Sequence, residues 1–234
     1  MGLRDYDALT FDCYGTLIDW ERGILAALRP MLQQTSISEE AALVAFAEQE
    51  SAQEHETPAM IYSALLTATH ARLANIWGVK NDPVADRSFG ASVPDWPAFP
   101  DSVDALAYLK QHFKLIVLSN VDRVSFAGSA QRLGNPFHAV YTAQDIGSYK
   151  PDPRNFIYLQ AHLAEQGIPQ ARVLHTAQSL YHDHVPAHAA GFDTCWIDRR
   201  AGKLGGATKP PGGAYAYKYH FKTMAELAQA HQNS

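Results

Sequence analysis

The sequence predicts an α/β protein, a doubly wound parallel sheet with a helical segment inserted after its first strand. Three observations predict it. The apolar runs "ALTF" (8–11), "KLIVLS" (114–119) and "RVLHTA" (172–177) have strand length and little alternation, as strands buried on both faces do. Helix-like segments accompany them, and that alternation makes βαβ units with right-handed crossovers. Residues 20–92 carry helical spacing, abundant alanine and no strand pattern.

In chain order, "ALTF" runs into Asp12, and Gly15 and Thr16 then turn the chain. "ERGILAALRPMLQQ", "SISEEAALVAFAEQESAQ" and "PAMIYSALLTATHARLANIWG" read as three helices. Ser36 with Glu39 forms a capping-box signature, Pro58 suits a first helical turn, and Gly78 suits a stop. "SFGASVPDWPAFPDS", with Pro94, Pro97 and Pro100, reads as a rigid connection back to the sheet. "DSVDALAYLKQHF" (101–113) follows as a helix capped at Asp101 or Ser102, and "RNFIYLQAHLAEQG" (154–167) as one ending at Gly167. "DTCWID" (193–198) is a fourth strand, and "AGKLGGATKPPGGAYAY" (201–217) a Gly- and Pro-biased surface loop. The expected organisation is a Rossmann-like core, residues 1–17 and 97–234, with a helical cap domain, residues 18–96, over the carboxyl edge of the sheet. Ligands bind at that edge in such folds. Asp12, Ser119 and the residues after Val173 all belong to it.

Composition narrows the function. Of 234 residues, 47% are hydrophobic and 18% charged, which is globular rather than disordered. A net charge of −5 without a basic run argues against nucleic acid as a partner, while a small anion needs only a few local cations. Cys13 and Cys195 show neither metal spacing nor a disulfide framework, and both lie in strand-like contexts. No apolar run is long enough to span a bilayer, and neither a secretion signal nor a myristoylation signal is legible. The expectation is a cytoplasmic protein without a membrane partner.

Four short motifs carry the chemistry. They are "FDCYGTL" with Asp12, "LSN" with Ser119 and Asn120, "YKPDP" with Lys150, and "LHTAQSLYHDHVPAHAAGF" with Asp183. Singly, Thr16 and Ser119 can satisfy backbone groups at strand ends, and Lys150 before a proline can be an exposed loop cation. Together and in this order they resemble the haloacid dehalogenase superfamily. The resemblance implies that Asp12 is the nucleophile. Thr16 and Ser119 then donate hydrogen bonds near it, and Lys150 keeps the site positive.

Two departures from the superfamily's phosphatases bear on the reaction. Their second Asp, which protonates the leaving alcohol, is here Tyr14; a halide needs no such proton. Their magnesium-binding Asp in the fourth motif is here Gln178, and Mg²⁺ prefers carboxylate oxygen. "FDCYGTLIDW" is similar to the L-2-haloacid dehalogenase branch in particular. That resemblance implies attack by Asp12 on the α-carbon of a small anionic halogenated acid, with inversion, followed by hydrolysis of the aspartyl ester. Lys150 and Asp183 orient or activate the water, while Asn120 and Tyr14 line the halide pocket. No metal and no organic cofactor is expected, and the resemblance allows a homodimer. The alternatives are a Mg²⁺-dependent phosphatase of the same superfamily, a hydrolase opening another activated carbon, and a catalytically silent binding module.

Other residues fit less well. Trp20 is a candidate wall of the site, whereas Tyr62 and Trp77 are expected to pack the helical bundle. The arginine that the family aims at the halogen has no counterpart between Thr35 and Ala71. Arg22, Arg29, Arg72 and Arg123 all stand elsewhere, so no arginine is assigned. The fourth motif also has Gln178 and Leu180 where the family carries Ser and Asn, and Phe156 replaces a Tyr. His175, His182, His184 and His188 crowd that motif without a convincing metal spacing, and a polar network beside Asp183 suits them better.

Overall fold

The computed structural model describes residues 2–202, 206–207 and 209–234. Six parallel strands form one sheet: β1 (Ala8–Phe11), β2 (Lys114–Ser119), β3 (Ala139–Thr142), β4 (Val173–Ala177), β5 (Asp193–Ile197) and β6 (Tyr219–Phe221). Their order is β3-β2-β1-β4-β5-β6. The chain winds outward from β1 to β3 and then crosses to the other side at β4. The switch point therefore lies between the carboxyl ends of β1 and β4, where an open parallel sheet leaves a crevice. In register, Phe11 faces Val117 on one side and Thr176 on the other. Asp12, one residue further, donates its N–H to the Thr176 carbonyl at 3.1 Å.

Between β1 and α5 (Ser102–Leu109), the helix that leads into β2, the chain forms four helices: α1 (Trp20–Leu32), α2 (Glu39–Glu56), α3 (Tyr62–Ile76) and α4 (Pro83–Gly90). The remaining helices are α6 (Arg123–Arg132), α7 (Ala143–Ile146), α8 (Arg154–Glu165), α9 (Val185–Ala189) and α10 (Met224–Gln232). Both faces of the sheet are covered. Leu9, Phe11, Val117 and Leu174 join one buried cluster with Leu106 of α5 and Leu227 of α10. Ala8, Ile116, Leu118 and Val173 join another with Phe156, Leu159 and Leu163 of α8. Two-sided burial is why these strands read as continuous apolar runs. Cys13 and Cys195 are buried free thiols. Among the described residues, no helix is long and apolar enough to cross a membrane.

Several local expectations need correction. The cap of α2 is Ser38, whose hydroxyl accepts from the Ala41 N–H, not Ser36. Pro58 lies in the turn between α2 and α3, and α3 opens at Tyr62. The stretch read as a rigid connection begins inside α4, which packs against α3 through Gly90. A Cβ there would sit 2.3 Å from the Ser63 carbonyl, so only glycine allows this approach. Strands β3 and β6 escape the sequence reading because they are the two sheet edges and only partly buried, so neither writes a continuous apolar run. Asp101 does not cap α5 with its side chain; it binds Arg199 and the Met224 N–H instead. Within the loop-like stretch 201–217, residues 203–205 and 208 lie outside the described residues.

Candidate active site

The site forms where the loops after β1, β2 and β4 meet the cap helices. After Asp12 the chain turns sharply, with Gly15 at φ +90°. A Cβ on Gly15 would lie 3.0 Å from Trp20 Nε1 and 3.2 Å from Gln178 Oε1. Gly15→Ala is therefore expected to lower stability by about 1–2 kcal/mol from backbone strain alone and to displace Trp20. Urea unfolding monitored by Trp fluorescence reads both effects.

Asp12, 6% exposed, is held from two sides. Thr16 donates its hydroxyl to Asp12 Oδ2 at 2.9 Å, and Lys150 Nζ donates to Oδ1 at 3.0 Å. The Thr16 oxygen in turn accepts the Gln178 N–H at 2.9 Å, which ties the β1 loop to the β4 loop. Lys150 also donates to Asp183 Oδ1 at 2.6 Å and to the Leu118 carbonyl at 2.9 Å. Asp183 sits in a π-helical turn, Leu180–His184, capped by the Ser179 side chain. His175 approaches the same Asp183 oxygen through Nε2 at 3.0 Å, and its Nδ1 meets the Thr10 hydroxyl at 2.9 Å.

One ammonium thus serves two buried carboxylates, and the two differ. Burial pushes Asp183 upward, but Lys150 and His175 outweigh it and hold this carboxyl below the usual carboxylate range. Burial also pushes Asp12 upward; Lys150 and Thr16 oppose it, the charge of Asp183 adds to it, and the net direction is up. Burial alone would lower Lys150, yet Asp12 and Asp183 together raise it above its ordinary value. The firm ion pair is Lys150 with Asp183, and Asp12 is the less stabilised anion beside it.

The cavity above Asp12 measures about 40 Å³ and is lined by Tyr14, Trp20, Asn120, Lys150 and Asp183, among others. Five of the predicted site residues thus line the same space as Asp12. Tyr14 packs edge-on against Trp96, its hydroxyl engages Ser129 Oγ at 2.8 Å, and burial pushes the phenol well up. Asn120 donates to the Lys150 carbonyl at 2.9 Å and accepts the Lys150 N–H at 2.6 Å, fixing the lysine loop. Thr16 and Ser119 do not line the cavity. Thr16 supports Asp12 from behind, whereas Ser119, expected to donate there as well, has a buried hydroxyl with no hydrogen-bond partner among the described residues.

Sequence reasoning missed the cap side of this cavity: Glu50, Glu54 and Tyr62 line it, together with His182 of the π-helical turn. Tyr62 does more than pack the bundle, since it donates to Glu50 Oε1 at 2.5 Å. Trp77 packs against the core as expected. A signal for the glutamates exists: the buried stripe Leu43, Phe46, Ala47 of α2 continues at helical spacing into Glu50 and Glu54. Of the candidate arginines, Arg72 pairs with Glu56 and Arg123 with Asp145, and none of the four lines the cavity.

The histidines divide. His184 is bonded at both nitrogens, to Thr194 Oγ1 and the Ala177 carbonyl. Burial lowers His182 to about 4, so it is neutral at pH 7; its Nδ1 meets Ser179 Oγ at 3.2 Å and its Nε2 lacks a hydrogen-bond partner among the described residues. Among the described residues, no group of three or more His, Cys, Asp or Glu is placed to hold a metal ion. Magnesium would suit this donor set poorly. Asp183 Oδ1 is occupied by Lys150 and His175, and the loop after β4 offers an amide at Gln178.

Comparison with known proteins agrees with this architecture. A family model for haloacid dehalogenase-like hydrolases matches residues 6–176. The L-2-haloacid dehalogenase from Xanthobacter autotrophicus superposes with a TM-score of 0.80 at 17% identity, covering 97% of this chain and 99% of that one. The HAD-hydrolase YfnB from Bacillus subtilis, bound to magnesium, superposes at 0.75 with 19% identity, covering 96% and 97%. A defluorinating L-2-haloacid dehalogenase, Rha0230, reaches 0.73 at 21% identity, covering 96% and 94%. At such identities the likeness establishes the fold alone. A search of curated proteins returned no match.

Proposed function

The chain belongs to the haloacid dehalogenase-like hydrolases, and from that premise we propose that it is a hydrolytic dehalogenase of small 2-haloacids. The observation that carries this reading is the pairing of a buried Asp12, gripped by Thr16 and Lys150, with a Tyr14 whose hydroxyl is committed to Ser129. A carboxylate stripped of water and held in place is a competent nucleophile toward carbon. At the Tyr14 position there is no carboxylic acid to protonate an alkoxide, and a halide leaves without one.

In the proposed cycle, Asp12 Oδ attacks the α-carbon as the carbon–halogen bond breaks, and an ester forms on Asp12. Lys150 balances the charge that remains on Asp183 once Asp12 is neutral. Water then adds to the Asp12 carboxyl carbon. Asp183, held ionised by Lys150 and His175, is the base closest in chemistry to that task. Collapse of the tetrahedral adduct expels the alkoxide of the 2-hydroxy acid, which takes the proton that Asp183 removed from the water, and the Asp12 carboxyl loses its remaining proton to solvent to restore the carboxylate. No step is routed through a metal. Robust phosphate release from small phosphomonoesters, abolished by EDTA, would favour a magnesium-dependent phosphatase instead. The expected result is halide release from L-2-chloropropionate or chloroacetate that EDTA leaves unchanged.

The raised position of Asp12 gives a pH dependence of defined sign. Attack needs the ionised form, and its population grows as pH rises through the raised value. The acid limb of kcat/KM is therefore expected above the ordinary carboxylate range, with activity falling as pH decreases. Initial rates of halide release across a pH series check it, and a limb at or below the ordinary range would contradict it.

A further inference from the structure

The cap side of the cavity is acidic. Glu50 and Glu54, one helical turn apart on α2, are 5% and 8% exposed and face the space above Asp12. Each has a single neutral donor among the described residues: Tyr62 for Glu50 at 2.5 Å, and Asn120 for Glu54 at 3.2 Å. Buried carboxylates are normally paired with a cation or several donors. Here Lys150 is the only lysine or arginine among the described residues lining the cavity, and it is already shared by Asp12 and Asp183. His182 Nε2 stands 4.0 Å from Glu54 Oε2 but is neutral at pH 7. Lys209 does not line this cavity; it lies in the adjoining groove, where Glu54 and Lys150 also contribute, and its charge acts on the pair from outside.

A second observation is independent of the glutamates. Asp183 lines the same cavity, and its buried Oδ2 has no hydrogen-bond partner among the described residues. The cavity thus presents carboxyl groups on both sides, with no lysine or arginine among the described lining residues beyond the Lys150 already shared by Asp12 and Asp183. Burial accordingly raises Glu50 to about 7, and burial with the neighbouring Glu50 raises Glu54 well above its ordinary value. A cationic group entering here would supply the missing charge to both carboxyls. A second anion pointed at α2 would find no counter-charge on that helix and would hold both carboxyls in their neutral form.

We propose that the acid turned over at this site is a small zwitterion, a 2-haloacid whose side arm carries an ammonium group held between Glu50 and Glu54. This rests on the dehalogenase reading and adds the recognition of the side arm. Glu50 and Glu54 then take the place on the cap where an arginine would be expected. They select for positive charge.

The test compares two substrates of nearly equal shape, 2-chlorobutyrate and 2-chloro-3-aminopropionate, in which a methyl group becomes an ammonium. With the full-length protein at pH 7.5, the ammonium compound is expected to show at least about a tenfold higher kcat/KM for halide release. Glu54→Gln and Glu50→Gln, singly and together, are expected to erase or reverse that ratio. A retained melting midpoint shows that each variant is folded. A wild-type preference for 2-chlorobutyrate, or a ratio that the variants leave unmoved, would overturn the inference while leaving the dehalogenase reading standing. Binding of the unreactive analogues, 3-aminopropionate against butyrate, is read separately by calorimetry. If only 3-aminopropionate binds and neither chloro compound loses halide, the recognition stands and the dehalogenase reading falls. Preferential binding of butyrate overturns the inference whatever the chemistry.

Discussion

Asp12→Asn is expected to lower halide release by about four orders of magnitude or more, as loss of a covalent nucleophile does, while leaving the protein folded and at least as stable at pH 7. The first half follows from chemistry, since an amide cannot displace halide from carbon. The second follows from linkage. Burial raises the Asp12 carboxyl above its unfolded value, so folding is progressively penalised as pH rises from the ordinary carboxylate range toward that raised value. Asparagine is isosteric and uncharged, and it leaves Lys150 a single charged partner, Asp183, beside the Leu118 carbonyl. Thermal midpoints of the two proteins should therefore converge at acidic pH, with the variant equal or higher near neutrality. A midpoint well below wild type at pH 7 would show that Asp12 is a structural anion rather than a stored reactant.

Lys150→Met should be damaging in both respects. Lys150 is 1% exposed and is the shared counter-charge of two buried carboxylates. Removing one member of a buried ion pair leaves an uncompensated charge and typically costs about 3–5 kcal/mol. Urea unfolding at pH 7 is the measurement. Halide release is expected to vanish as well, because Asp12 without Lys150 loses its orienting donor and its main stabilising charge. Adding Asp183→Asn to Lys150→Met should recover part of the stability by removing the orphaned anion, without recovering activity. A Lys150→Met protein of wild-type stability would contradict the charge arrangement described here.

The sheet was legible because β1, β2 and β4 are buried on both faces and write uninterrupted apolar runs into the sequence. β3 and β6 were not, since they are the short edge strands, buried only in part, and their residues form no continuous apolar run. Asp12, Lys150 and Asp183 could be named because each stands in one of four short motifs whose order resembles that of the haloacid dehalogenase superfamily. Their convergence on one ammonium is a property of the fold, which brings together residues separated by 138 and 33 positions. The cap wall stayed hidden for a different reason. In a helix as charged as α2, glutamates read as a solvated face, and only their alignment with Leu43, Phe46 and Ala47 reveals that they point inward. Tyr62 was likewise assigned to packing, because an aromatic at helical spacing gives no sign of the buried carboxylate its hydroxyl meets.

The central claim is that Asp12 forms a covalent ester with the substrate carbon. Protein in molar excess over L-2-chloropropionate or chloroacetate, in water enriched in ¹⁸O, isolates a single turnover. The peptide containing Asp12 is then weighed by mass spectrometry alongside the product. If the ester forms and water attacks its carboxyl carbon, the first turnover places ¹⁸O in Asp12 and none in the hydroxy acid. Label appearing directly in the product, or halide release persisting in Asp12→Asn, would contradict the account.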